Sequence, residues 1–119
     1  MAFDWREYLN LARFMQGQSS SFTQEAAFRC AVSRAYYAAF CHARNYARDR
    51  QGFAPTYKSD DHQLVRDHFR GRGMTQIARK LDSLRQWRNR CDYNDTVSNI
   101  SPMLTSATNE AQRVLNMLP

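Results

Sequence analysis

Glycine and proline are scarce in this chain, with four glycines and three prolines in 119 residues. That shortage argues against turn-rich all-β, collagen-like and linker-like readings, and favours helices. Lysine is almost missing too: of 17 basic residues, 15 are arginine and two are lysine. Long apolar runs are absent. The longest, Ala35 to Ala43, falls far short of the roughly 20 residues that a membrane-spanning helix requires. No basic leader followed by an apolar stretch opens the chain, so no membrane association is expected and the chain reads as cytoplasmic. The three cysteines, Cys30, Cys41 and Cys91, form no C-x-x-C pair. On one helix Cys30 and Cys41 would stand about 16 Å apart, too far for a disulfide. The set reads as reduced core cysteines. Zinc spacings, phosphate-cradling glycine loops and nucleophile motifs are also missing, and no metal or cofactor is implied.

What is present suits one folded domain spanning residues 1–119. Hydrophobic residues make up 43% of the chain and aromatics 13%, enough to build a core. The formal net charge is +6. Arginine presents a planar, permanently charged fork that matches phosphate and carboxylate. An arginine-rich basic chain therefore points to a polyanionic partner. The plainer reading puts the same arginines on solvated helix faces beside Asp and Glu.

Hydrophobic spacing predicts helices throughout. Trp5, Tyr8, Leu9, Leu11, Ala12 and Met15 mark a first helix over Phe3 to Met15, with Asp4 placed to cap it. Gly17 and the serine run behind it stop this helix, and Thr23 is placed to cap a long alanine-rich second one, about Gln24 to Asp49. Phe28, Val32, Ala35, Ala39, Ala43 and Tyr46 form one stripe on it. Cys30, Arg34, Tyr37, Cys41, Arg44 and Arg48 form another. A helix apolar around most of its circumference is central to a bundle or buried by a partner chain, and the mixed second stripe suggests an interface or a cleft. Ser59 or Asp60 is placed to cap a short third helix, Asp61 to Phe69, bearing Leu64, Val65, His68 and Phe69. The Arg70-Gly71-Arg72-Gly73 stretch breaks it. A fourth helix is expected from Met74 to Tyr93, and Ser101-Pro102 reads as the cap and first position of a fifth. The expected fold is all-α, an up-and-down four-helix bundle with one extra short helix.

The fourth helix breaks its own pattern. Its apolar stripe runs Met74, Ile77, Leu81, Leu84, then Arg88, then Cys91. A guanidinium on a core stripe needs a carboxylate, a phosphate or backbone carbonyls. Asp92, one turn on, is the nearest partner, and an Arg88–Asp92 pair at the end of the bundle is the plain structural reading. The three histidines, His42, His62 and His68, read as packing residues or, for His62, a capping or surface residue.

The segment Leu84-Arg85-Gln86-Trp87-Arg88-Asn89-Arg90-Cys91-Asp92-Tyr93 resembles the late-helix signature of HEPN domains, and Arg34-Ala35-Tyr36-Tyr37-Ala38-Ala39-Phe40 resembles that family's other recurring piece. The resemblance runs from about Trp5 to Leu118. It implies an all-α bundle that forms a homodimer and acts on RNA or a nucleotide. It also implies a metal-independent endoribonuclease of a toxin–antitoxin or defence system, with an antitoxin or nucleotidyltransferase as a further protein partner. The family's catalytic signature is an arginine, a polar follower and a histidine placed after four to six intervening residues. Arg88 and Asn89 match the first two, but Asn94 stands where the histidine belongs, and no histidine follows His68. An amide does not shuttle protons near neutrality. The loss of a general acid or base costs about 10²–10⁴-fold in rate. The catalytic candidates are therefore Arg88, Asn89 and Asn94, and the substrate-binding candidates Arg34, Tyr37, Arg85, Asp92 and Tyr93. A non-catalytic binding or accessory module stands as the alternative.

Overall fold

A computed structural model describes residues 3–17 and 24–119 of the chain. They form five helices and, among the described residues, no strand: α1 (Arg6–Gln16), α2 (Gln24–Gln51), α3 (Asp61–Gly71), α4 (Thr75–Tyr93) and α5 (Ile100–Met117). The fold is an all-α bundle, and among the described residues no helix is long and apolar enough to cross a membrane.

The second helix is the axle. Its alanines Ala27, Ala31, Ala35, Ala38, Ala39, Ala43 and Ala47 are all buried, and such small side chains let neighbouring helices approach its backbone closely. All four other helices contact it; α3 rests on α2 and α4, while α5 packs against α1, α2 and α4. The core is completed by Val65 and Phe69 of α3, Ile77, Leu81 and Leu84 of α4, and Leu104, Val114 and Leu115 of α5, with Leu118 just beyond the last helix. Leu11 and Leu64, expected to face inward, are exposed. Each lies at the edge of its helix's apolar stripe, where the neighbouring helix no longer covers it.

Several ends differ from expectation. Asp4 does serve the start of α1, its carboxylate accepting the backbone N–H of Arg6 at 3.0 Å. Neither Ser59 nor Asp60 caps α3 through its side chain. Instead Asp61 is buried, and its carboxylate turns back to accept the backbone N–H groups of Thr56 and Tyr57 and the Thr56 hydroxyl, at 2.7–3.1 Å. Helix α5 begins one residue before the expected Ser101 cap, behind Asn99. Pro102 is tolerated there because first-turn amides have no partner within the helix. The break after α3 is a Schellman-type end: Gly73 adopts φ +77°, and the Met74 N–H reaches back to the Phe69 carbonyl at 2.8 Å. The expected cap Thr23 lies outside the described residues.

Candidate functional site

Arg88 lies where its stripe placed it, on the inner side of α4, with 11% of its side chain exposed. Its Nη2 donates to the Tyr37 hydroxyl and its Nη1 to Asn89 Oδ1, both at 2.9 Å. The guanidinium also lies over the rings of Tyr36, Tyr37 and Tyr93, at 5.4, 5.3 and 5.9 Å from their centroids, within cation–π range. The expected pair with Asp92 is long, 3.7 Å from Nε to Oδ2, and Arg88 Nε is buried without a hydrogen-bond partner. Asn89 thus orients the arginine, as a polar follower can.

Arg34 approaches the same ring from α2. Its guanidinium lies 5.4 Å from the Tyr37 centroid and 4.9 Å from that of Tyr8. Its one hydrogen bond, Nη2 to Ser33 Oγ, is 3.4 Å long, and its Nε is buried and unpartnered. Ser33 Oγ in turn donates to Asp92 at 3.5 Å, so Asp92 is linked to both arginines and closely bonded to neither. Arg85 is engaged elsewhere, paired with Asp82 at 2.9 Å. Tyr93 is exposed and joins the cluster only over Arg88.

Asn94 stands apart. The backbone has left helical conformation there, with φ −87° and ψ 135°. Its carbonyl accepts from Arg29 Nη1 at 2.6 Å, and the same guanidinium also holds the carbonyls of Cys91 and Asp95. Arg29 thereby closes the C-terminal end of α4, a role the sequence did not suggest. Arg88 and Asn89 are bonded to each other, while Asn94 is the residue just past the end of α4.

Sequence reasoning missed two members of the cluster, Tyr36 and His62. Tyr36 is fully buried, and its hydroxyl hydrogen-bonds His62 Nδ1. Burial pushes the Tyr36 phenol well above its ordinary range, against the pull of Arg88 and Arg66. The His62 ring stacks on Phe40 at 4.3 Å and meets Tyr37 edge-on at 6.1 Å. The surface or capping role expected of it is wrong; its position on the first turn of α3 turns it inward onto α2. Burial and then the charges of Arg88 and Arg66 hold its pKa below the ordinary value, Arg85 adding to them and Asp61 opposing. His62 is therefore the neutral imidazole of this cluster. One turn on, the buried Arg66 donates its Nη1 to the His62 carbonyl.

The other histidines are satisfied packing residues, as expected: His42 donates to the Leu118 carbonyl at 2.6 Å and His68 bonds Gln51 Oε1 at 2.8 Å. Cys41 and Cys91 are buried, and burial pushes both thiols up to about 11. Cys30 is exposed, contrary to the core role expected for it. Among the described residues no three His, Cys, Asp or Glu side chains gather as a metal site. The arrangement is suited to holding an anion, since two guanidinium groups retain unused donors around one tyrosine. No family model, no curated protein and no solved structure matches this chain.

Proposed function

We propose that this is a HEPN-like protein that binds RNA or a nucleotide by its phosphate, using Arg34 and Arg88 as a clamp braced by Tyr37 and Asn89. The observation that carries the reading is the pair of buried Nε atoms without hydrogen-bond partners on two arginines that share one tyrosine ring. Buried polar groups are normally satisfied, and two guanidiniums at one tyrosine ring favour an anion beside them. In the homodimer implied by the resemblance, a two-fold axis would bring two such clamps to one ligand.

Two activities are consistent with a phosphate clamp. As a metal-independent endoribonuclease, the chain would position the 2′-hydroxyl of one nucleotide against the neighbouring phosphate, with Arg88 stabilising the charge that develops. As an accessory module paired with an antitoxin or a nucleotidyltransferase, it would bind without cutting. The amide of Asn94, which cannot shuttle protons near neutrality, favours the second.

The test is fluorescence anisotropy of labelled single-stranded RNA, followed by cleavage of end-labelled RNA in EDTA. Arg88→Ala is expected to weaken binding about tenfold to a hundredfold, the range of a lost charge-assisted contact. Arg88→Lys, which keeps a charge but no fork, should fall between the two. Binding unchanged in both folded variants would sink the clamp. Cleavage in EDTA that vanishes with Arg88→Ala assigns the nuclease; intact RNA assigns the accessory module.

A further inference from the structure

A cleft of about 300 Å³, lined in part by Tyr37, opens between the start of α1, the middle of α2 and the loop leading into α3. Trp5, Tyr37, Phe40, Tyr57 and His62 supply its aromatic lining, and Arg44 and Lys58 its cations. Its size falls at the small end of the roughly 300–1,000 Å³ typical of small-ligand sites.

Tyr57 is the informative residue. It is 64% exposed, yet its backbone holds φ +59°, in the left-handed region that non-glycine residues seldom occupy. The buried Asp61 carboxylate fixes that strained turn by accepting the backbone N–H groups of Thr56 and Tyr57. Two arginines hold the side chain: Arg48 Nη1 donates to its hydroxyl at 3.0 Å, and Arg44 lies 5.3 Å from its ring centroid. An exposed aromatic that is this firmly placed, at the cost of backbone strain, is a prepared contact surface. Arg44 also lies 5.9 Å from the Trp5 ring, so one guanidinium spans both sides of the cleft.

We propose that this cleft receives a single unstacked nucleobase, and that the ligand of the chain is a nucleotide whose phosphate lies on Arg34 and Arg88. The inference rests on the clamp reading above. Aromatic faces stack any base, and an arginine plane does the same. Ser59 adds to the lining a hydroxyl able to bond a polar base edge. Tyr37 joins the two halves: its hydroxyl accepts from Arg88, and its ring walls the cleft.

Calorimetric titration with adenosine monophosphate, ribose 5-phosphate and an octaadenylate tests this on the full chain. The wild type should bind adenosine monophosphate about tenfold tighter than ribose 5-phosphate, within the range of base–aromatic stacking. Tyr57→Ala should erase most of that margin and leave ribose 5-phosphate unchanged, while Tyr57→Phe, which keeps the ring, should retain it. Equal affinity of the wild type for both ligands overturns the base cleft, as does an equal loss for both in Tyr57→Ala. Arg88→Ala separates the two ideas: if it leaves ribose 5-phosphate binding intact, the clamp fails while the base margin still judges the cleft. A Tyr57-dependent octaadenylate affinity well above that of the mononucleotide places the base in a strand; no gain places it in a free nucleotide. Absence of binding by all three ligands overturns both clamp and cleft.

Discussion

At the scale of single residues, the site is a set of charges held slightly short of satisfaction. Arg88 spends one donor on Tyr37 and one on Asn89, and keeps Asp92 at a distance. His62 is the group whose protonation this environment resists, because burial and then Arg88 and Arg66 disfavour its charged form, outweighing the opposing Asp61. A lowered folded-state pKa means that the folded chain binds fewer protons than the unfolded one. The stability this contributes is complete above the unfolded value, near 6.5, and is lost as pH falls through the lowered folded value. His68 is lowered in the same direction by burial and Arg72, so the two histidines act together. The thermal midpoint should therefore decline as pH is taken from 7.5 to about 5, and His62→Gln should flatten part of that decline while leaving the contribution of His68. A variant profile parallel to the wild type would contradict the burial of a neutral imidazole. Arg88 was legible in the sequence because it interrupts an apolar period. His62 was not, because a histidine at a helix start is equally at home capping, and only the packing of α3 on α2 turns it inward.

At the scale of elements, helix positions followed from periodicity, and the ends of α2, α3 and α4 fell close to expectation, but the side-chain bonds that secure those ends did not follow. The apolar repeat marks all five helices and the buried stripe of α4, since a helix needs one covered face whatever its partner is. Such bonds can be long-range, and no local pattern contains them. Asp61 looks like a first-turn acid yet serves the loop before it, and Arg29 reaches some sixty residues along the chain to close α4. That closure satisfies carbonyls otherwise left open at the end of the helix that carries the clamp. Arg29→Ala should cost about 2 kcal/mol, the worth of charge-assisted bonds to backbone carbonyls. The expected fall in thermal midpoint is about 8 °C, read by far-UV circular dichroism. RNA affinity should fall as well if the helix end positions Arg88. A midpoint within 1 °C of wild type, set against that expectation, would show the three bonds to be replaceable by water.

For the whole molecule, the question raised by the net charge of +6 becomes one of where the charge is left over. Arg6, Arg29, Arg48, Arg66, Arg70, Lys80, Arg85, Arg88 and Arg113 each have a carboxylate within 4 Å, so much of the basic composition is answered by helix-surface and interhelical pairs. Among the described residues eight basic side chains form no such pair; Arg34, Arg44 and Lys58 border the clamp and the cleft, while Arg13, Arg50, Arg72, Arg79 and Arg90 are not among their lining residues. Three uncancelled charges are therefore available where an anionic ligand is proposed. A single strand neutralising two or three phosphates on one protomer should show log affinity falling against log salt with a slope of about −1.4 to −2. Two clamps meeting across a homodimer would double that slope, to about −3 to −4, because each counterion release is counted again. Salt titration of RNA binding, paired with sedimentation equilibrium at the same protein concentration, thus reads charge and assembly together. The double variant Arg44→Ala and Lys58→Ala should make the slope shallower without changing the mass. A dimer mass with the steeper slope supports two clamps acting on one strand. A monomer mass with the shallow slope rejects the dimer and leaves a single clamp, and a slope near zero rejects phosphate-led binding whatever the mass, because no counterions would have been released.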